Sequence, residues 1–173
     1  DIERATLAYG YGLSVTSMQL AQAYSVFAND GYRVPVTLLQ RERPVEQRKV
    51  YSPRVARAVR KMMEAVVKKD GTAPQAAVQG YRVAGKTGTV HKSVAGGYAD
   101  DRYLSVFAGM APASRPRLVV VVMIDEPSNG EHFGGKVAGP VFSKVMAGAL
   151  RLLNVTPDAA PLRRLLPLST PRS

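Results

Sequence analysis

The strongest constraint on the fold is an apolar run in the second half of the chain, where residues 117–125 read RLVVVVMID. The run does not alternate between apolar and polar residues, which predicts a strand that is covered on both faces. A second strand is predicted at residues 102–111 (RYLSVFAGMA), and only PASRP separates the two, which favours an antiparallel hairpin. The chain therefore requires a sheet with other elements packed on each face.

Three segments have the sequence pattern of helices, at residues 16–29, 52–69 and 137–153. The first begins with Thr16 as a candidate N-cap and Gln19 as its capping-box partner. The second begins with Ser52 as the cap, followed by a proline at the first helical position. In the third we expect Pro140 to lie in the first turn, where a missing backbone N–H is tolerated.

Two further strands are predicted before the hairpin, at residues 32–40 (YRVPVTLLQ) and 81–90 (YRVAGKTGTV). Pro35 restricts the first of these to an edge or a bulge, because proline has no N–H for a ladder hydrogen bond. Residues 41–51 are charged and predict a loop or an irregular ribbon. The order helix, strand, helix, three strands, helix predicts the α/β (α+β) class, with an antiparallel sheet and helices packed on its faces.

Composition excludes several classes of function. The chain has no cysteine and only two histidines, so we expect no thiol catalysis, no disulfide, no metal site and no cofactor. The net charge is +11, and ten of the 24 basic residues fall within residues 41–69. No zinc-finger spacing or RNA-binding aromatic motif accompanies them, so we predict a solvated basic face and no nucleic-acid partner. A non-enzymatic module that binds an anionic polymer or a partner protein is an alternative.

The best candidates for a binding or catalytic site are Lys86, Thr87, Gly88 and Thr89, near the end of the strand predicted at residues 81–90. A glycine at a strand edge permits close approach, a lysine supplies positive charge, and two hydroxyls can hold a carboxylate. Together they suit an extended peptide that ends in a carboxylate. Alternation places Lys86 and Gly88 on one face and the threonines on the other. On residue types alone, the simpler interpretation is a strand that leaves the core with polar side chains in water.

Six stretches follow one another in the order of a known family. They are YGYGLSVT (9–16), GYRVAGKTGT (80–89), FAGMAP (107–112), IDEP (124–127), FGG (133–135) and AGPVFS (138–143). K-T-G at the end of a strand is a signature of penicillin-binding proteins and serine β-lactamases. The combination resembles the C-terminal part of a class B penicillin-binding protein of the cell-division type, a peptidoglycan D,D-transpeptidase.

This resemblance implies a fold of the penicillin-binding-protein and serine β-lactamase type. Residues 1–156 would be the C-terminal part of the transpeptidase domain, and residues 157–173 a flexible C-terminal tail. The implied activity is formation of a serine acyl-enzyme on a D-Ala-D-Ala stem peptide, followed by attack of an amine from a neighbouring stem, with β-lactams as inhibitors. A serine β-lactamase or D,D-carboxypeptidase is the alternative within the same fold.

The resemblance also implies roles for the individual motif residues. Lys86 is expected to raise the local positive potential and to assist proton transfer. Thr87 and Thr89 are expected to bind the carboxylate of the substrate or drug, while Gly88 keeps the cleft open. The backbone N–H of Thr89 is expected to be one donor of the oxyanion hole, which stabilises charge on the attacked carbonyl.

Aromatic positions near the motif correspond to an apolar wall in the family. Tyr11, Tyr103 and Phe133 look like the positions that surround the side chain of a bound β-lactam. Packing in a turn for Tyr11 and in the strand core for Tyr103 are the alternatives. His132 falls where relatives often carry tyrosine and is assigned to the same substrate-binding wall. For His91, two residues after the motif, we expect a solvated role in a loop, with approach to the ligand as the alternative.

The other two family signatures are absent from the sequence. No lysine has a serine three residues before it, and no S-x-N triplet occurs. We therefore expect the nucleophile, the membrane anchor and the missing N-terminal part of the same protein to lie upstream, and we expect this segment not to fold alone. The expected partners are peptidoglycan stem peptides, β-lactam antibiotics and divisome membrane proteins, at the periplasmic face of the bacterial inner membrane.

Overall fold

A computed structural model describes residues 7, 13–40, 42, 45–94, 97–128 and 130–159. Its helices are α1 (Ser17–Ala28), α2 (Pro53–Met63) and α3 (Gly134–Leu152). Its strands are β1 (Tyr32–Arg33), β2 (Arg48–Lys49), β3 (Ala84–Val94), β4 (Gly97–Ala111) and β5 (Leu118–Asp125). Short 3₁₀ turns at Glu64–Val67 and Pro74–Ala76 lie between α2 and β3.

The central sheet is antiparallel, with the strand order β3-β4-β5. β4 and β5 form the hairpin that the sequence predicts, with Phe107 opposite Val122. Val122 belongs to a core cluster that includes residues of α3, whereas Val119 packs in a second cluster that includes residues of α1. The prediction that β5 is covered on both faces is therefore confirmed, as is the antiparallel sheet with helices on its faces.

The predicted N-caps of α1 and α2 are both formed. The Thr16 hydroxyl accepts from the Gln19 N–H at 3.1 Å, and the Gln19 side chain accepts from the Thr16 N–H at 2.8 Å, which completes the capping box. The Ser52 hydroxyl accepts from the Val55 N–H at 3.3 Å. The second helix ends earlier than predicted, because the chain tightens there into the first of the 3₁₀ turns.

Other element boundaries also differ from the predictions, and the strand predicted at residues 81–90 spans Ala84–Val94. The strand expected at residues 32–40 is reduced to β1, which pairs with β2 in the segment that was expected to be a loop or an irregular ribbon. Pro35 lies two residues after the end of β1 and cannot donate the ladder hydrogen bond that a longer strand needs. The third helix starts at Gly134, so Pro140 lies inside it rather than in its first turn. Its first turn packs on β3 and β4, a tertiary contact that periodicity does not reveal.

The core between the sheet and α3 is built around Phe107. Its ring lies 4.7 Å from that of Phe142 in a tilted arrangement, and both side chains are fully buried. Gly85 and Gly109, which face each other across β3 and β4, leave room for this ring. A Cβ would lie 2.7 Å from a Phe107 carbon at Gly85 and 2.9 Å at Gly109. The paired glycines therefore allow α3 to lie close to both strands.

The segment that follows α3, which we name the strap (residues 155–159), lies across the start of β3. The Tyr81 hydroxyl donates to the carbonyl of Val155 at 2.5 Å. The Asp158 carboxylate accepts from the backbone N–H of Arg82 at 2.7 Å. These contacts fix the beginning of the strand that carries the K-T-G residues.

The division into residues 1–156 and 157–173 stays a prediction. Residues 157–159 belong to the strap and pack against the start of β3, whereas residues 160–173 lie outside those that the structure describes. None of the helices in the described ranges is both long enough and apolar enough to span a membrane.

Candidate active site

The K-T-G residues lie on β3, which forms one edge of the described three-stranded sheet. The alternation expected from the sequence is present. Lys86 and Gly88 share a face with Ala84, which packs in the cluster that includes residues of α1 and α2. Thr87 and Thr89 share the opposite face, where α3 lies. The lysine and the threonine side chains therefore lie on opposite faces of the strand.

Lys86 places its ammonium along the strand. Its Nζ donates a hydrogen bond to the Thr87 carbonyl oxygen at 2.9 Å, and the residue is exposed. In the part of the chain that the structure describes, no carboxylate forms an ion pair with this ammonium. The positive charge is therefore available to a bound anion beside the backbone of the motif.

Thr89 links β3 to the first turn of α3. Its hydroxyl oxygen accepts from the Gly134 N–H at 2.9 Å. The N-cap residue of this helix, Phe133, makes no side-chain capping bond, and Thr89 supplies an acceptor for one of the backbone N–H groups in the first turn that lack a partner within the helix. Because a backbone N–H can only donate, the Thr89 oxygen is fixed as an acceptor and its own O–H is left to donate.

Thr87 contacts a hydroxyl that sequence analysis did not identify. Its Oγ1 lies 3.3 Å from Oγ1 of Thr72, in the loop between the two 3₁₀ turns. This loop packs tightly against the start of α3, since a Cβ on Gly135 would lie 2.0 Å from the Thr72 carbonyl oxygen. Thr72 thus adds a third hydroxyl to the α3 side of the motif strand.

Three of the predicted wall residues form one aromatic stack (Tyr103, His132 and Phe133). The Tyr103 and His132 rings are 4.0 Å apart and nearly parallel at 11°, and the His132 and Phe133 rings are 4.6 Å apart. Phe133 is 55% exposed, so the stack presents an apolar ring to solvent. Contact of the stack with a ligand stays a prediction. Tyr11, the fourth predicted wall residue, lies outside the described residues.

His91 does not have the solvated position that we expected. It lies on β3 opposite Tyr103, and the two rings are 4.5 Å apart. Its Nδ1 lies 2.8 Å from the Ala99 carbonyl oxygen, which can only accept, so this nitrogen carries the proton. The expectation is wrong because β3 continues to Val94, which brings the imidazole into the sheet beside the aromatic stack.

Residues 1–147 of the sequence match the family of the penicillin-binding protein transpeptidase domain. The chain belongs to this family. Among relatives of the transpeptidase domain, the probable peptidoglycan D,D-transpeptidase PbpC of Pseudomonas aeruginosa is 50% identical over 159 residues, which is 91% of this chain and 28% of that protein. The peptidoglycan D,D-transpeptidase FtsI of Escherichia coli is 43% identical over 159 residues, which is 92% of this chain and 27% of that protein.

A solved transpeptidase domain has the same fold. The TP domain of penicillin-binding protein 3 from Burkholderia pseudomallei matches with a TM-score of 0.86 and 52% identity, over 92% of this chain and 49% of that chain. The family and the fold inferred from the sequence motifs are therefore confirmed. The chain spans about a quarter of the length of the two curated relatives and about half of the solved domain.

An ion-pair network anchors the loop between β5 and α3 of this transpeptidase domain. Glu126 accepts from Lys92 Nζ at 2.6 Å and from Arg102 Nε at 3.0 Å, and Lys92 also pairs with Asp125 at 2.9 Å. Hydrogen bonds from the Arg102 guanidinium, and then from the Lys92 ammonium, lower the pKa of Glu126 to about 2. The Glu126 N–H donates to the Tyr103 carbonyl at 2.9 Å, so the network adjoins the aromatic stack.

Glu126→Gln is expected to lower the melting temperature at neutral pH. The margin, which is the difference in melting temperature between wild type and variant, should shrink as the pH falls. In the folded chain the pKa of Glu126 is lowered from 4.5 to about 2, so its ionic contribution is complete above about pH 4.5 and is lost as the pH falls towards 2. Thermal denaturation of wild type and variant across this range measures the margin.

The control for this prediction is Glu46→Gln. Glu46 is exposed and forms no ion pair within the described ranges, so its replacement should leave the melting temperature nearly unchanged. A margin between wild type and Glu126→Gln that stays constant with pH would show that the network does not act through the ionised carboxylate.

Sequence reasoning missed the residues that join the motif strand to its neighbours. Ser105, opposite Thr89 on β4, is fully buried and donates its hydroxyl hydrogen to the His132 carbonyl. The doubled glycine at the start of α3 is a signal of close packing. Nothing in the D-G-T-A-P sequence around Thr72 indicates its contact with the motif strand. No cluster of potential metal ligands is found among the described residues.

Proposed function

We propose that the protein is a peptidoglycan D,D-transpeptidase that acts in septal cell-wall synthesis through a serine acyl-enzyme and is inhibited by β-lactams. The observation that carries this proposal is the K-T-G strand of a transpeptidase domain, at a sheet edge, with an ammonium that no described carboxylate neutralises. This chain supplies the substrate-binding strand. The nucleophile comes from an S-x-x-K sequence outside these 173 residues, since none occurs within them.

The terminal carboxylate of the stem peptide is recognised by a carboxylate clamp (Lys86, Thr87 and Thr89). Its two hydroxyls lie on the α3 face of β3, and the hydrogen bond to the Thr87 carbonyl holds the ammonium close to the same stretch of backbone. Bonds from these donors to an anion are charge-assisted and therefore stronger than bonds between neutral groups. The arrangement supports a ligand that ends in a carboxylate, as D-Ala-D-Ala and β-lactams do.

The substrate lies alongside β3 and extends the sheet, which brings the carbonyl of its penultimate D-alanine to the nucleophile. The serine oxygen bonds to this carbonyl carbon, the C–N bond breaks, and D-alanine leaves with the proton taken from the serine. The backbone N–H of Thr89 is one donor to the oxyanion that develops. The amine of a neighbouring stem peptide then displaces the serine, which regains a proton, and closes the cross-link.

Gly88 and the aromatic stack shape the space for the ligand. A Cβ on Gly88 would meet only the Val106 Cβ, at 3.6 Å, within the described residues, so packing alone does not require the glycine. Its role is to let the substrate approach the strand. The exposed Phe133 ring and the His132 ring form an apolar wall for the side chain of a β-lactam, and Tyr11 is assigned to the same wall.

The proposal extends to location and partners. Relatives that cover most of this chain are named peptidoglycan D,D-transpeptidases, and peptidoglycan is assembled outside the cytoplasmic membrane. We therefore place the protein at the periplasmic face of the bacterial inner membrane, with an anchor outside these residues. Divisome membrane proteins are its proposed partners, and peptidoglycan stem peptides are its substrates.

Incubation of the intact protein with a fluorescent penicillin tests the function. We expect a covalent adduct that survives denaturing electrophoresis and is released slowly. Rapid hydrolysis of the penicillin would instead identify a β-lactamase. Release of D-alanine from a stem peptide without a cross-linked product would identify a D,D-carboxypeptidase. If neither an adduct nor turnover is found, the proposed function is wrong.

A further inference from the structure

We propose that Thr72 is a positioning residue of the carboxylate clamp, whose hydroxyl holds the Thr87 hydroxyl as a hydrogen-bond donor towards the bound carboxylate. This inference rests on the proposed function and adds to it a residue outside the K-T-G motif. Each of the two clamp hydroxyls makes a hydrogen bond to a protein group.

At Thr89 the direction of the hydrogen bond is fixed by chemistry. The backbone N–H of Gly134 lies 2.9 Å from the hydroxyl oxygen and can only donate. The Thr89 proton must therefore point elsewhere, and no group in the described ranges accepts it. This sets Thr89 as a donor, which suits an ionised carboxylate because such a group only accepts.

At Thr87 the partner is a second hydroxyl, so the direction of the hydrogen bond depends on whether a ligand is bound. In this structure the Thr87 hydroxyl donates to Thr72 Oγ1 across 3.3 Å, and because both groups are hydroxyls the direction can reverse. When a carboxylate is bound, it takes the Thr87 proton, and the Thr87 oxygen is left to accept from Thr72. The chain from Thr72 through Thr87 to the carboxylate then runs in one direction, so that each bond polarises and strengthens the next.

Thr72 can hold Thr87 in this way because its loop is fixed on both sides. On one side, the Ala73 N–H donates to the Val66 carbonyl at 2.8 Å, which ties the loop to the first 3₁₀ turn. On the other, the Thr72 carbonyl packs against Gly135, where a Cβ would lie only 2.0 Å away. Thr72 itself is exposed, so core packing does not account for a threonine at this position.

The test compares penicillin acylation of the intact wild-type protein and of Thr72→Val, which keeps the shape of the side chain and removes the hydroxyl. We expect the penicillin concentration that gives half-maximal acylation rate to rise about three- to tenfold, as for the loss of one hydrogen bond. The rate at saturation should change by less than about twofold, since Thr72 does not touch the reacting atoms. Thr72→Ser retains the hydroxyl and should restore the wild-type values.

A penicillin methyl ester, which lacks the negative charge, separates this role from a merely structural one. With the ester, Thr72→Val should change the concentration that gives half-maximal acylation rate by less than about twofold, because the charged carboxylate that accepts from Thr87 is gone. In a Thr87→Val background, Thr72→Val should have no further effect on penicillin itself. Melting temperatures establish that each variant is folded, and Thr72→Ala is the second variant if Thr72→Val is not.

The possible results are distinguishable. Equal half-maximal penicillin concentrations for wild type and a folded Thr72→Val overturn the inference and leave the proposed function in place. An equal loss with the ester also overturns it, because the hydroxyl would then act on the fold and not on the carboxylate. A wild-type protein that forms no adduct at all contradicts the proposed function, and this inference with it.

Discussion

Lys86→Ala is expected to slow acylation by penicillin by about a hundredfold or more, with little change in melting temperature. The residue is exposed and has no carboxylate partner in the described part of the chain, so its removal leaves no buried charge unpaired. In the proposed site its ammonium faces the ligand carboxylate and the region where charge develops in the transition state. Rapid-mixing kinetics with a fluorescent penicillin and thermal denaturation measure the two quantities.

Lys144→Ala is the matched control, because Lys144 is an exposed lysine on α3 that forms no ion pair within the described ranges. Its acylation rate should equal that of the wild type. Lys86→Arg keeps the charge but replaces a compact ammonium with a planar group, and should recover only part of the rate. If Lys86→Ala is acylated as fast as the wild type, the K-T-G strand does not act on the ligand and the proposed function loses its main support.

Gly134→Ala is expected to lower the free energy of unfolding by about 1–3 kcal/mol and to slow acylation as well. A Cβ at this position would lie 2.4 Å from the carbonyl oxygens of Gly88 and Val106, which are backbone atoms and cannot rotate away. The first turn of α3 must then move away from the sheet, and the hydrogen bond from the Gly134 N–H to Thr89 is weakened or lost. Chemical denaturation measures the first effect, and penicillin acylation measures the second.

Gly148→Ala, in the same helix, separates this packing effect from the general effect of replacing a glycine. Within the described ranges, no atom outside the local helix lies within 4 Å of the added Cβ. Since alanine favours a helix more than glycine does, we expect a stabilisation of about 0.5–1 kcal/mol and unchanged acylation. Gly134→Ala with wild-type stability would show that α3 can move relative to β3 without loss of packing energy.

The sheet and the starts of two helices could be predicted because their signals are local. The apolar run at residues 117–125 identifies a doubly covered strand, and Thr16 and Ser52 identify helix starts, each from a few neighbouring positions. The start of α3 could not be predicted in this way. Gly134 joins the helix because its N–H finds an acceptor on β3, whereas the apolar periodicity begins only later in the sequence.

The candidate site could be predicted only as far as the motif extends along the sequence. Residues 86–89 are contiguous, so their residue types and the alternation of a strand indicate which side chains lie on which face. Thr72 and Gly134 reach the same strand from positions 15 residues before Thr87 and 45 residues after Thr89. Such partners are set by how the loop and the helix pack, and a single sequence does not reveal that packing.

The strap makes the motif strand depend on residues that are translated much later. The Asp158 carboxylate holds the Arg82 N–H across a separation of 76 residues, and the Ala159 N–H donates to the Gly80 carbonyl at 3.1 Å. Contacts between such distant positions close late, because the intervening chain must first be ordered. A nascent chain in which Ala159 is still inside the ribosome therefore carries K-T-G on a strand whose start is untethered, and the proposed site should form only after Ala159 has emerged.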